Sequence, residues 1–190
     1  MPRSIRATVI ASLVIASMVV VSCSPGSDLA PLPMAPSGPY RLGTDDRIRI
    51  ITFDEKELTG EFHVNDAGNV AIPLLGAIPA RGLTTADLER SIKQRLEEKK
   101  ILLDPSVSVE IIDYRPIFVL GEVNKPGQYP YQPGMTVLTA VAIAGGFTYR
   151  AQTDDAAILR KVEGQLIEGR VPRGMEVLPG DVITVFERYF

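Results

Sequence analysis

A chain of 190 residues, 45% of them hydrophobic, has the material for one or two small domains with real cores. Its 20 basic residues against 23 acidic ones give a net charge of −3, which leaves no cationic footprint for nucleic acid. One cysteine and one histidine exclude an internal disulfide and any metal site built on several Cys or His ligands.

The N-terminus has the three-part layout of an export signal. Arg3 and Arg6 are followed by an uncharged apolar run from Ala7 to Val21, and Val20-Val21-Ser22 puts small or β-branched residues just ahead of Cys23. The run is fifteen residues long, against about 20 for a membrane-crossing helix. Val20-Val21-Ser22-Cys23 resembles a bacterial lipobox. That resemblance implies that residues 1–22 are a signal peptide and that Cys23 is lipidated, becomes the new N-terminus and anchors the chain at the periplasmic face of the outer membrane. Several acyl chains are needed for stable anchoring, because a single one binds only marginally. Removing residues 1–22 leaves 168 residues with 18 basic against 23 acidic side chains, a net −5.

Residues 23–39 hold Pro25, Pro31, Pro33, Pro36 and Pro39 with Gly26 and Gly38. The composition predicts an extended tether with no core, reaching on the order of 50 Å. The first folded unit covers 40–113. Arg47 to Phe53 is β-branched and alternates as a strand. Glu61 to Val64 and Val70 to Leu75 flank the turn-forming Asn65-Asp66-Ala67-Gly68-Asn69 and are expected to form a hairpin. Thr84 offers an N-cap with Asp87 three residues on, and Leu88, Ile92 and Leu96 repeat at four-residue spacing. An amphipathic helix is expected over 85–99, with Glu89 placed to pair with Lys93. Asp104-Pro105 interrupts the chain, and Val107, Val109 and Ile111 alternate in a strand that should meet the helix.

The second unit covers 114–190. Ile117 to Val123 reads as a buried strand and Asn124-Lys125-Pro126-Gly127 as a turn into Gln128-Tyr129. Thr136 caps a short helix ending at Gly145-Gly146. Its apolar residues cover every face, so it needs a sheet on one side and another cover opposite. Ala157 to Val162 and Leu166 to Glu168 form a hairpin, and Leu178-Pro179-Gly180-Asp181 turns into a strand from Val182 to Phe186. The expected class is α+β: a mixed sheet with one amphipathic helix, then a small sheet gripping a helix.

The motifs then become specific. Tyr40-Arg41-Leu42-Gly43 with Asp46, Asn65-Asp66-x-Gly68-x-Val70-x-Ile72-Pro73-Leu74-Leu75-Gly76 and Gly82-Leu83-Thr84 resemble the polysaccharide biosynthesis/export domain. Gly121-Glu122-Val123 with Pro126-Gly127, Ala144-Gly145-Gly146 and Gly180-Asp181-Val182-Ile183 resemble the soluble-ligand-binding β-grasp domain that follows it in that family. These residues read as mainly structural: Gly68, Gly127 and Gly180 suit turns of positive φ, Pro73 and Pro126 fix local geometry, and Gly145-Gly146 ends a helix. The resemblance implies a lipoprotein of the polysaccharide export apparatus for capsule or exopolysaccharide, with no cofactor. Its copies would close into a ring by head-to-tail contacts and give the polysaccharide cargo a conduit. An inner-membrane polysaccharide copolymerase is the implied partner. The longer members carry a second β-grasp unit and a C-terminal amphipathic helix. Without them here, a separate outer-membrane β-barrel is the expected exit.

Other classes fit less well. His63, in an alternating segment, reads as a strand residue and not a catalytic base. Asp45-Asp46, Asp54-Glu55 and Asp154-Asp155 read as turn residues instead of opposed glycosidase carboxylates. No phosphate-cradling loop occurs. The alternative is a monomeric periplasmic carbohydrate-binding lipoprotein, but the chain has no tryptophan for a sugar platform. Tyr129, Tyr131, Phe147 and Tyr149 read as core or interface residues. Replacing Cys23 by Ser should move the mature chain from the membrane to the soluble fraction on cell fractionation; unchanged membrane retention would contradict lipid anchoring.

Overall fold

The computed structural model describes residues 26–34, 38–162 and 164–188. Cys23 and the signal segment lie outside the described residues. Strand β1 (Arg47–Thr52) sits between β2 (Gly60–His63) and β5 (Val107–Asp113), antiparallel to both. Its alternation puts Ile48 and Ile50, both fully buried, on one face and Arg47 and Arg49 on the other. There the arginines meet Glu61 and Asp113 in exposed ion pairs. Helix α1 (Thr85–Glu98) covers the inner face with Leu88, Ile92 and Leu96. Each such burial is worth roughly 1.5–3 kcal/mol.

The helix starts where expected, because Thr84 and Asp87 form a reciprocal capping box. The Thr84 hydroxyl holds the Asp87 carboxyl below the usual carboxylate range. Glu89 does not serve Lys93. Its carboxylate accepts the Val109 backbone N–H at 2.8 Å, a buried-edge donor that would otherwise lack a partner. The expected hairpin is also corrected. β2 pairs with β1, whereas β3 (Asn69–Ile72) pairs with β4 (Gly76–Pro79) in a separate two-stranded sheet. The loop over 65–69 is closed by its own bonds, Gly68 N–H to Asn65 O and Asn65 N–H to Asn69 O, so it connects two sheets instead of folding one back.

The second unit is a five-stranded sheet in the order β7 (Gly127–Tyr129), β6 (Ile117–Gly121), β10 (Val182–Glu187), β8 (Ala151–Val162), β9 (Gln165–Pro172). β10 runs parallel to β6, and the chain between them supplies helix α2 (Val137–Ile143) and the β8–β9 hairpin. Val137, Ala140 and Val141 of α2 pack on Ile117, Val119, Ile158 and Ile183 of the sheet. The other face of α2 stays open, with Leu138 and Ile143 each 44% exposed. Gly127 lies in extended β7 and has no positive φ, unlike Gly68 and Gly180.

The proline-rich tract departs most from expectation. Instead of running free, its described part docks on β9. Arg170 N–H donates to Ala30 O and Leu32 N–H to Arg170 O, a parallel bridge on the outer edge of the sheet. Leu32 is buried in the second core. Gly169 permits this approach, because a Cβ there would lie 2.7 Å from the Leu32 Cα. Proline-rich composition disfavours core building only on average, and one leucine over one glycine suffices to seat the strap. Gly169→Ala should therefore expel residues 30–32, lower stability by roughly 1.5–3 kcal/mol in urea unfolding and open the strap to proteolysis. Unchanged stability and protection would contradict this docking.

Candidate functional site

The two sheets meet at one arginine that the motifs did not single out. Asp46, just ahead of β1, is fully buried. Its carboxylate accepts the Tyr40 hydroxyl at 2.7 and 3.0 Å, the Gly43 N–H at 2.7 Å and the Arg115 N–H at 3.0 Å. Arg115 stands between the end of β5 and the start of β6. Its side chain reaches into the second unit, where Nε donates to Pro179 O at 2.8 Å. The guanidinium lies 6.0 Å from the Tyr40 ring centre, at the edge of cation–π range. A Cβ on Gly43 would fall 1.3 Å from Arg115 Nη1, and one on Gly180 would fall 3.0 Å from its Nε. Both glycines are absent side chains whose space the arginine fills.

The receiving turn is held from behind by a buried ion pair. Arg160 on β8 contacts Asp181 at 2.7–3.3 Å, with side chains 4% and 1% exposed. Asp181 also accepts the Leu178 N–H at 2.7 Å, and Arg160 Nη2 donates to Glu176 O at 3.2 Å. Arg160 Nη1 has no partner. Pairs of this kind set geometry more than they add net stability. Here the geometry set is the Leu178–Asp181 turn that presents Pro179 and Gly180 to Arg115. Tyr40, Tyr114 and Tyr131 add an edge-to-face stack across the same boundary, with ring centres 5.0 and 5.3 Å apart.

The predicted site residues therefore divide by place. Gly43, Asp46, Gly180 and Asp181 converge on the junction. Gly121, Glu122, Val123, Gly145 and Gly146 gather at the opposite end of β6 and β10. There Gly121, with φ of 80°, leaves no room for a Cβ, which would strike Val185 O at 2.1 Å. Val123 bridges Phe147, the Thr148 hydroxyl donates to Glu122 at 2.5 Å, and Asn124 N–H donates to Gly146 O. Pro126 shapes the turn into β7 at Gly127, and Gly68, Pro73 and Gly76 shape the small β3–β4 sheet. Tyr129, Tyr131 and Phe147 pack on the core, but Tyr149 is 80% exposed. Arg115, Arg160 and Gly169 were missed. An arginine at a domain boundary directly before a proline was the available signal for the first. Among the described residues no group of three or more Cys, His, Asp or Glu side chains is placed to hold a metal.

Such a junction binds two small domains into one two-domain module of α+β class. Residues 34–112 match the polysaccharide biosynthesis/export protein family and residues 116–175 the SLBB domain. With these two domains in order, the chain belongs to the polysaccharide biosynthesis/export family. It is 36% identical over 124 residues to the exopolysaccharide production protein ExoF of Rhizobium meliloti (strain 1021), covering 60% of this chain and 30% of that protein. It is 26% identical over 198 aligned positions to the EPS I polysaccharide export outer membrane protein EpsA of Ralstonia nicotianae (strain ATCC BAA-1114 / GMI1000), covering 85% and 51%. The EpsA of Ralstonia solanacearum gives 26% over 191 positions, covering 82% and 50%. The chain spans about half or less of the length of these relatives.

Asp46→Asn turns one of two acceptor oxygens into a donor opposite either the Gly43 or the Arg115 N–H and should cost roughly 1–3 kcal/mol. Burial, then the neighbouring Asp46, pushes the Tyr40 hydroxyl far above its ordinary value of 10.0. An unfolded tyrosine loses its proton near that value while folded Tyr40 keeps it. Its contribution is thus intact below pH 10 and drains away as the pH rises further. Tyr40→Phe should flatten this alkaline loss of stability, as read by urea unfolding at several pH values; an identical alkaline slope would contradict the buried hydroxyl–carboxylate pair.

Proposed function

We propose that this protein is a lipid-anchored component of a polysaccharide export apparatus for capsule or exopolysaccharide, acting at the periplasmic face of the outer membrane. The observation that carries this reading is the export domain followed by an SLBB domain, clamped together through Arg115. The names of the relatives, an exopolysaccharide production protein and outer membrane export proteins, support it. Copies associate head to tail in a ring whose water-filled lumen passes the polymer by weak polar contacts, since tight binding would stall it. An inner-membrane copolymerase supplies cargo, and a separate β-barrel completes the exit. No bond is made or broken. Among the described residues no helix is long and apolar enough to cross a membrane.

The open face of α2 favours self-association over a solitary carbohydrate-binding lipoprotein. A helix apolar on every side needs a second cover, and Leu138 and Ile143 lack one among the described residues. A neighbouring copy is the cover required. Deleting the gene should abolish extracellular polysaccharide and leave polymer or its precursors inside the cell envelope. A Leu138→Glu, Ile143→Glu double variant should fold as a monomer in mild detergent and fail to restore export. Normal extracellular polysaccharide in the deletion strain would contradict the export role; an unchanged oligomer in the variant would contradict this contact.

A further inference from the structure

One end of the first unit is built against its own stability. Strand β1 begins beside the junction at Asp46 and ends at Thr52, so Phe53, the next residue, stands at the pole far from the second unit. Its N–H donates to Ser106 O at 2.9 Å. Ser106 is three residues from Leu103, which follows the end of α1. Lys99, at the C-cap of α1, donates its Nζ to Leu74 O at 2.9 Å in the β3–β4 turn. Three loops thus meet, and each exposes a large apolar side chain: Phe53 at 78%, Leu74 at 61% and Leu103 at 92%. Scattered exposed apolar residues are ordinary, but three of this size at one pole are not.

The backbone there is strained as well. Of the four non-glycine residues with positive φ among the described residues, three lie in these loops: Asp54 at 61°, Leu74 at 64° and Lys100 at 56°. Asp tolerates this region, but leucine and lysine do so poorly, and glycine is the ordinary occupant after a helix C-cap. Leu74 is therefore unfavourable twice, once for its conformation and once for its exposure. Residues of that kind persist where function requires them.

We propose that this pole is a docking surface for a protein partner whose contact face is apolar at its centre and basic at its rim. The charges choose this occupant. In the segments 53–57 and 95–104 that flank Phe53 and Leu103, six carboxylates, Asp54, Glu55, Glu57, Glu97, Glu98 and Asp104, stand against four cations, Lys56, Arg95, Lys99 and Lys100. A second copy offering the same pole would bring two acidic rims together, and an anionic bilayer surface would be repelled in the same way.

The test uses the mature chain with Cys23→Ser and two amphipathic helical peptides, each with leucine on one face and either lysine or glutamate on the other. The lysine peptide should bind, with NMR amide shifts concentrated around Phe53, Leu74 and Leu103, and the glutamate peptide should not. Phe53→Ser, Leu103→Ser should weaken binding about tenfold or more. Leu74→Gly should weaken it while raising Tm, because glycine relieves the strained turn. Equal binding of both peptides, shifts away from these loops, undiminished binding by the double variant, or a pole-to-pole dimer would each overturn the assignment.

Discussion

A carboxylate with no access to water has to be met by donors, and Asp46 draws three of them from two stretches of chain. Tyr40 and Gly43 come from the entry to the first unit, and the third donor is the backbone of Arg115. Fixing the Arg115 backbone there aims its side chain at Pro179. The same residue is thus held by one domain through its N–H and by the other through its guanidinium. Breaking either contact leaves a buried polar group unpaired, which costs more than the bond itself contributes.

The chain of consequences runs in both directions from that residue. On one side Asp46 is followed directly by β1, the central strand of its sheet, so the junction is in register with the first core. On the other, Arg160 and Asp181 shape the turn that leads into β10, the central strand of the second sheet. Two central strands are thereby tied end to end through one side chain. The strap on β9 adds a further attachment, seating Leu32 in the second core. In the proposed ring of copies, a fixed angle between the two domains is what would make a regular assembly possible.

Elements with a strong local signal were legible in the sequence. The box at Thr84 and Asp87 and the spacing of Leu88, Ile92 and Leu96 define α1 without help from the rest of the chain. The alternation of β1 and the β8–β9 hairpin are equally local. The β2–β3 pairing was misread because a turn-rich loop between two strands looks the same whether it closes a hairpin or connects two sheets. Only the pairing of β2 with β1, set by long-range packing, decides that. Gly127 looked like a turn glycine because Pro126 precedes it, but the turn is complete by then. The junction motifs were visible as residues and not as a site. Gly43 and Gly180 are small because Arg115 fills their space, and a glycine does not name the side chain that excludes its own. Leu32 carries no periodicity at all, and its place depends on Gly169, far along the chain.

The account rests on Arg115 holding the two domains as one body. Spin labels placed on exposed sites of each domain, in a Cys23→Ser background, report their separation by pulsed electron resonance. The parent should give a single narrow distance distribution, and Arg115→Ala should broaden it while both domains stay folded. A narrow, unshifted distribution in Arg115→Ala would contradict the clamp.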